Sequence, residues 1–215
     1  ACCISVIISS ALLFFFSFIR GEASRTLELS RFYIDGFIAG EKNAGRSWEV
    51  EEICLDSLND LKPLDSTELA LRDRLLAERN FGHKMFDHAK KIIAADHVVI
   101  GAPYWDLQFP ALLKIYLERC SVTGLTFIYN DEGIPEGQCR AESLMYITTS
   151  GSPIGNMNYG YDYVCGLCRL FGIPKTYFAS AEGLDIIGND AAKIMADAKV
   201  KITDALKQIQ AESEA

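Results

Sequence analysis

The chain has 215 residues, of which 49% are hydrophobic and 23% are charged, and its formal net charge is −8 at pH 7. This length and composition suit one globular domain with a large core and exclude a disordered chain. The acidic balance and the lack of any basic run argue against a nucleic-acid partner, because phosphate backbones bind clustered Lys and Arg. We therefore expect one domain over residues 1–215 and no nucleic-acid partner.

The N-terminal stretch ACCISVIISSALLFFFSFI, residues 1–19, has no charged side chain and is long enough to span a bilayer. It lacks the basic start and the small-residue cleavage site of a signal peptide. The segment 17–26, which is rich in hydroxyl groups and contains a glycine, comes directly after the apolar run. A polar loop in this position is typical of the end of a buried strand. We therefore expect 12–16 to be a central strand, with a membrane anchor as the alternative, and no membrane partner. Residues 1–11 remain an N-terminal extension without an assigned role.

Short apolar runs alternate with segments of helical spacing along the rest of the chain. The predicted strands are 12–16, 48–55, 97–102, 144–148 and 176–181. The predicted helices are 24–39, 67–95, 110–120, 161–171 and 190–211. Near-continuous apolar strands that alternate with helices are typical of a parallel sheet with helices on both faces. The pattern predicts a doubly wound α/β fold with about five strands in the order 2-1-3-4-5.

Three polar loops follow neighbouring strands of this predicted sheet, at the edge where doubly wound folds bind ligands. The first, 17–26, offers hydroxyls and the N–H groups of a helix start to an anion, although such residues are often only caps. It matches neither the P-loop nor the GxGxxG pattern. The second, APYWDLQFP, places two aromatic side chains and an acid where they can border a flat ring, or else only covers the sheet edge. The third, TTSGSPIG, lets backbone N–H groups approach a ligand closely.

Cysteine and histidine positions give weaker signals. Seven cysteines at irregular spacing disfavour a secreted disulfide framework and favour the reducing cytoplasm. Cys165 and Cys168 have CxxC spacing but lie in an apolar helical pattern, so we favour buried thiols over a redox pair. His83, His88 and His97 are too scattered for a metal site, and we expect surface or capping positions for them.

Four segments, in this order, resemble the flavodoxin-like FMN-dependent NADH-azoreductase and NAD(P)H-quinone reductase family. They are FSFIRGEASRT, HVVIGAPYWDLQFPALLKIYLERC, GLTFIYNDEGIPEG and YITTSGSPIG. The resemblance covers about residues 12–205. It implies a flavodoxin-like fold, non-covalently bound FMN, NADH or NADPH as electron donor, and a homodimer with active sites at its interface.

The resemblance also implies roles for individual residues. Those implied for the FMN phosphate end are Ser17, Arg20, Ser24, Arg25 and Thr26. Those implied for the isoalloxazine are Pro103, Tyr104, Trp105, Asp106, Leu107, Thr149, Ser150 and Gly151. Phe127 and Tyr129 correspond to residues that reach the other subunit's flavin and line the substrate pocket. The chain departs from the family pattern at 18–19, where small or polar residues are usual, and at Asp106, where an amide is common.

The family resemblance, together with the three polar loops, predicts an FMN-dependent NAD(P)H oxidoreductase. We expect it to reduce quinone, azo or related small-molecule acceptors in a ping-pong reaction. No side chain is assigned as catalytic, because the flavin carries the redox chemistry. Two alternatives stay open: a flavodoxin-type one-electron carrier, and a flavin-binding redox sensor that uses Cys165 and Cys168. The aromatic pair Tyr104 and Trp105 favours a substrate pocket and therefore the enzyme.

Overall fold

The computed structural model describes residues 10–17 and 21–213 of the chain. The strands are β1 Ser10–Phe16, β2 Trp48–Cys54, β3 His97–Gly101, β4 Phe127–Tyr129, β5 Pro135–Gly137, β6 Ser143–Thr149 and β7 Lys175–Ala181. The α-helices are α1 Arg25–Asn43, α2 Ser66–Ala77, α3 Asp87–Ala94, α4 Ala111–Cys120, α5 Tyr159–Phe171 and α6 Ala191–Ser213. Short 3-10 helices cover Gly21–Ala23, Leu55–Ser57 and Lys84–Phe86.

Five parallel strands form the main sheet in the order β2-β1-β3-β6-β7. Counted along the chain within this sheet, that is the order 2-1-3-4-5, so the predicted topology is confirmed. β1 lies inside the sheet, paired with β2 on one side and with β3 on the other. The carboxyl ends of these strands therefore meet at one edge, where the connecting loops lie together.

Burial of β1 on both faces explains the apolar run at the start of the chain. Leu12, Phe14 and Phe16 pack in the layer formed with α1 and α6. Leu13 and Phe15 point the other way, into the layer formed with α3, α4 and α5. The prediction of a strand at 12–16 is confirmed, and no helix in the described part of the chain is long and apolar enough to cross a membrane. Of the predicted extension 1–11, the last two residues belong to β1 and 1–9 lie outside the described residues.

The predicted helix over 67–95 is wrong, because the structure has α2 and α3 separated by a break. The end of α2 is a Schellman motif in which Arg79 has φ +52°, a left-handed conformation usually taken by glycine. The Arg79 N–H donates to the Leu76 carbonyl and the Asn80 N–H to the Leu75 carbonyl, at 3.0 and 2.8 Å. Asn80 and Gly82 are poor helix formers, but the apolar spacing continues on both sides of them and conceals the break.

The antiparallel hairpin of β4 and β5 is a second feature that the apolar pattern did not predict. Its second strand lies against the end of α5 without room for a side chain. A Cβ added to Gly137 would lie 1.9 Å from the backbone nitrogen of Gly172. The docking of this hairpin therefore depends on one glycine that is distant in sequence from the helix it contacts.

The expectation for the histidines is confirmed for His83, which caps the 3-10 helix Lys84–Phe86 by accepting from the Met85 N–H at 3.2 Å. It is wrong for His97, which is 1% exposed. Both ring nitrogens of His97 have hydroxyl partners, Tyr33 at 2.8 Å and Ser143 at 2.7 Å. An imidazole with two such partners can be buried without leaving a polar atom unpaired.

Candidate functional site

A crevice of about 310 Å³ opens at the carboxyl edge of the sheet, where the loops after β1, β3, β6 and β7 meet. Its volume is at the lower end of the range of small-molecule sites, about 300–1,000 Å³. The crevice is lined by Ala23, Ser24, Arg25, Thr26, Pro103, Tyr104, Trp105, Thr149, Ser150, Gly151, Leu184 and Asp185. The three loops singled out in the sequence therefore do converge, and a fourth loop joins them.

The start of α1 forms one end of the crevice. Ser24 is the N-cap, and its hydroxyl oxygen accepts from the Leu27 N–H at 3.2 Å, which leaves the hydroxyl proton available to a ligand. The N–H groups of Arg25 and Thr26 belong to the first turn of the helix, where no intrahelical acceptor exists. Free N–H groups, a hydroxyl proton and the helix dipole together favour an anion at this end.

A pair of hydroxyl groups joins the first loop to the third. The Oγ1 atoms of Thr26 and Thr149 are 2.6 Å apart, so one hydroxyl donates to the other. The pair holds two protons and its own hydrogen bond uses one, so the other can be donated to a ligand oxygen. The hydroxyl of Ser150, in contrast, donates to the Ser152 carbonyl and shapes the third loop.

The second loop contains a tight turn that holds two aromatic side chains at the crevice. Trp105 and Gln108 exchange backbone hydrogen bonds of 3.1 and 2.8 Å around Asp106 and Leu107. Both central residues have positive φ, +46° and +70°, as in a type I′ hairpin turn. The Tyr104 N–H donates to the Thr149 carbonyl at 2.9 Å, and its hydroxyl donates to the Met157 carbonyl at 3.0 Å. The ring of Trp105 is about half exposed and free to contact a flat ligand.

The loop after β7 forms a further wall of the crevice, which was not predicted from the sequence. The N–H of Leu184 donates to the Ser150 carbonyl, and the N–H of Asp185 donates to the Gly151 carbonyl, both at 3.1 Å. Leu184 and Asp185 thereby line the crevice beside the third loop. They follow the predicted strand 176–181, so the rule that strand ends share one edge was a signal for them.

A carboxylate clamps the third loop to β7. Glu182 accepts from the Ile154 N–H at 2.8 Å with one oxygen and from the Ser180 hydroxyl at 2.7 Å with the other. Hydrogen bonds to a carboxylate are stronger than those between neutral groups. The third loop is therefore held at both ends, by Glu182 and by the Leu184 and Asp185 backbone.

The structure brings most of the predicted cofactor residues together and places the others elsewhere. The nine that line the crevice are Ser24, Arg25, Thr26, Pro103, Tyr104, Trp105, Thr149, Ser150 and Gly151. Ser17 is buried, and its hydroxyl donates to Asp56 at 3.4 Å. Asp106 and Leu107 form the exposed tip of the tight turn. Arg20 lies outside the described residues.

Phe127 and Tyr129, predicted for the substrate pocket, lie in β4 rather than on the crevice wall. Phe127 is buried, and its ring packs edge to face against that of Tyr129, with the centroids 5.6 Å apart. Tyr129 is more than half exposed, so its ring is available to a neighbouring molecule.

Of the two cysteines with CxxC spacing, Cys165 lies in the middle of α5 and Cys168 in its last turn. Cys168 is 2% exposed, and burial, with a smaller effect of Cys165, raises the pKa of its thiol to about 12. A thiol becomes a nucleophile only as the thiolate, so this environment makes Cys168 unreactive at neutral pH.

Burial also raises the pKa of the Tyr146 phenol far above its ordinary value, and this side chain packs below the second loop.

A doubly wound parallel sheet of strand order 2-1-3-4-5, with a crevice at the carboxyl edge of its inner strands, is the arrangement of the flavodoxin-like class of α/β proteins. A family described as having a flavodoxin-like fold matches residues 12–206, and the chain belongs to that family. It is 28% identical over 195 residues to an FMN-dependent NADH:quinone oxidoreductase of Coprothermobacter proteolyticus, covering 88% of this chain and 94% of the relative. A protein of the same name from Lachnoclostridium phytofermentans is 33% identical, with 83% and 85% covered.

Solved structures share the fold at lower sequence identity. An azoreductase of Bacillus anthracis has a TM-score of 0.78 at 19% identity, with 93% of this chain and 99% of that chain covered. An FMN-dependent NADH-azoreductase of Bacillus anthracis in complex with FMN has a TM-score of 0.77 at 17% identity, with 94% and 100% covered. These two likenesses establish the fold.

Proposed function

We propose that this protein is an FMN-dependent NAD(P)H oxidoreductase that reduces quinone, azo or related small-molecule acceptors. The observation that carries the proposal is a crevice in which a helix start with free N–H groups lies together with an aromatic wall. A mononucleotide has a matching arrangement, with a terminal phosphate at one end and a flat ring at the other. The names of the curated relatives support FMN, NADH and quinone as the ligands.

The residues of the crevice divide into two groups by their chemistry. Ser24, Arg25 and Thr26 would hold the phosphate through N–H groups, hydroxyl protons and a guanidinium. Pro103, Tyr104 and Trp105 would border the ring on one side, and the third loop, 149–151, on the other. When bound, FMN supplies the hydride acceptance and release, and the protein supplies position and a shielded surface.

A homodimer with active sites at its interface is part of the proposal. Exposed apolar side chains stand in three loops at the crevice edge of the sheet, and monomeric proteins seldom expose such groups together. Those in the loops are Trp105, Leu107, Met157, Ile186 and Ile187, and Tyr159 adds to them at the start of α5. A second copy would cover these side chains and close the open side of the crevice, which the exposed ring of Tyr129 also suits.

The two other classes of function find less support. A one-electron carrier presents its flavin edge to a protein partner, whereas Tyr104 and Trp105 form a wall that suits stacking of a small flat molecule. A redox sensor requires accessible thiolates of low pKa, and the Cys168 thiol has the opposite properties. The five cysteines among the described residues are free thiols, which fits the cytoplasmic location that we propose.

The purified protein tests the proposal directly. We expect a flavin absorption spectrum that is bleached anaerobically by NADH or NADPH and restored by a quinone. Donor and acceptor would occupy the same space over the ring in turn, so double-reciprocal plots should be parallel. A protein that binds no flavin contradicts the proposed function, and intersecting plots contradict the shared pocket.

Thr26→Val combined with Thr149→Val tests the phosphate end of the crevice, because it removes both hydroxyls of the pair, either of which could donate the spare proton, at nearly constant shape. Loss of a hydrogen bond to a charged group costs about 1.5–3 kcal/mol, so FMN affinity should fall at least about tenfold. Thr203→Val is the matched control, since this hydroxyl bonds a carbonyl within α6. Equal FMN affinity of the two variants would place the phosphate elsewhere.

A further inference from the structure

Asp185 places an acidic side chain at the end of the crevice formed by the start of α1. An Asp185 carboxylate oxygen, Oδ1, is 3.2 Å from Nη1 of Arg25, the first residue of α1. The other oxygen lies over Gly151, where an added Cβ would be 2.6 Å from it. The carboxylate therefore bridges the first and third loops at the mouth of the crevice.

The negative charge of Asp185 repels the anionic ligand that the surrounding groups favour. The helix start, the hydroxyl proton of Ser24 and the Thr26–Thr149 pair all favour a negative ligand. Among the described residues that line the crevice, Arg25 is the cation, and Asp185 holds its guanidinium. A phosphate that enters must share Arg25 with this carboxylate and accept a like charge nearby.

The ion pair is suited to exchange of partners. Its side chains are 40% and 65% exposed, and ion pairs this exposed to water contribute little to stability. The backbone of Asp185 is fixed by its N–H bond to Gly151, so its carboxylate stays near the mouth after the pair has opened. The carboxylate is thus a standing competitor for Arg25 that costs little to displace.

We propose that Asp185 is a specificity-determining residue of the crevice, which lowers its affinity for phosphate-bearing ligands by occupying Arg25 and repelling the phosphate. The inference rests on the proposed function, since FMN is the ligand that it concerns. It assigns to Asp185 the control of how tightly the protein retains its flavin, through the phosphate and not through the ring.

Asp185→Asn tests the inference, because it removes the charge and keeps the size. FMN titrated into flavin-free protein should bind about fivefold tighter, the factor that corresponds to about 1 kcal/mol. Riboflavin, which lacks the phosphate, should bind the variant and the wild type equally. Asp35→Asn is the control for net charge, because Asp35 is an exposed residue further along α1 and should leave both affinities unchanged.

A double-mutant cycle tests whether Asp185 acts through Arg25. In an Arg25→Gln background, the gain from Asp185→Asn should be smaller than in the wild type. Unchanged or weaker FMN binding by Asp185→Asn, an equal change for riboflavin, or an undiminished gain in the Arg25→Gln background overturns the inference.

Inorganic phosphate separates this inference from the proposed function. Millimolar phosphate should raise the melting temperature of Asp185→Asn more than that of the wild type or of Asp35→Asn. A wild type that binds no flavin contradicts the proposed function, and the phosphate comparison still decides the role of Asp185. Equal shifts in the three proteins count against that role.

Discussion

At the scale of single residues, the buried imidazole of His97 links stability to pH. Burial lowers its pKa from 6.5 to about 4, although Ser143 and Glu41 act in the opposite direction. The unfolded chain therefore binds a proton at a pH where the folded protein does not, so stability falls as the pH drops from about 6.5 toward 4. We expect a loss of about 2 kcal/mol between pH 7 and pH 5 from this residue alone.

Urea denaturation at pH 7 and pH 5 measures this effect when wild type and His97→Gln are compared. Glutamine can still bond Tyr33 or Ser143 but does not titrate in this range. The variant should be less stable at pH 7 and should lose less stability on acidification. An equal loss in both proteins would show that other groups cause the pH dependence.

The tight turn of the second loop stores strain at Leu107. A left-handed conformation costs a residue with a side chain about 1–2 kcal/mol, and glycine pays a smaller entropic cost of about 0.4–1 kcal/mol. Leu107 has φ +70°, so Leu107→Gly should be about 1 kcal/mol more stable than Leu107→Ala. The alanine variant is the control, because it loses the same side-chain contacts and keeps the strain. Equal melting temperatures of the two variants would mean that the turn relaxes.

At the scale of elements, the hairpin of β4 and β5 depends on its close approach to α5. Gly137→Ala forces a methyl group into the backbone of Phe171 and Gly172, and overpacking of this kind costs about 1–3 kcal/mol. Gly166→Ala is the matched control, since nothing lies within 4 Å of its added Cβ and alanine favours the helix. Urea denaturation gives the free energy of unfolding of both variants and of the wild type. A Gly137→Ala protein as stable as wild type would contradict the close packing of the hairpin on α5.

For the whole molecule, the exposed apolar side chains at the crevice edge predict that two copies associate into a homodimer. Ile187 is wholly exposed in the loop after β7, so Ile187→Asp should not perturb the fold of one chain. A charge there should prevent association of two copies, and it should lower specific activity because the crevice then lacks its second wall. Sedimentation and activity at matched concentrations provide the measurement.

Val200→Asp is the control for this prediction. Val200 is exposed on α6, which packs against the face of the sheet rather than at the crevice edge. This variant should keep both the dimer and the activity. A monomeric wild type with full activity would contradict the proposed assembly.

The sheet, and the edge at which the crevice lies, could be predicted from local sequence patterns. Leu12, Phe14 and Val99 belong to apolar strands, and burial on both faces of a parallel sheet leaves such a pattern in any local window. The segment after β1 contributes 24–26 to the crevice and the end of β6 with the loop after it contributes 149–151, so their convergence at one edge follows from the topology.

Features that depend on contacts between residues distant in sequence could not be predicted in this way, because they arise from packing. Asp185 meets Arg25 across 160 positions of the chain, and Gly137 meets Gly172 by an approach that no local pattern records. His97 is buried because Tyr33 and Ser143, far from it in sequence, complete its hydrogen bonds. Periodicity reports which face of an element is apolar, whereas packing fixes which side chains meet there, and the meeting of side chains sets the charge and shape of the crevice.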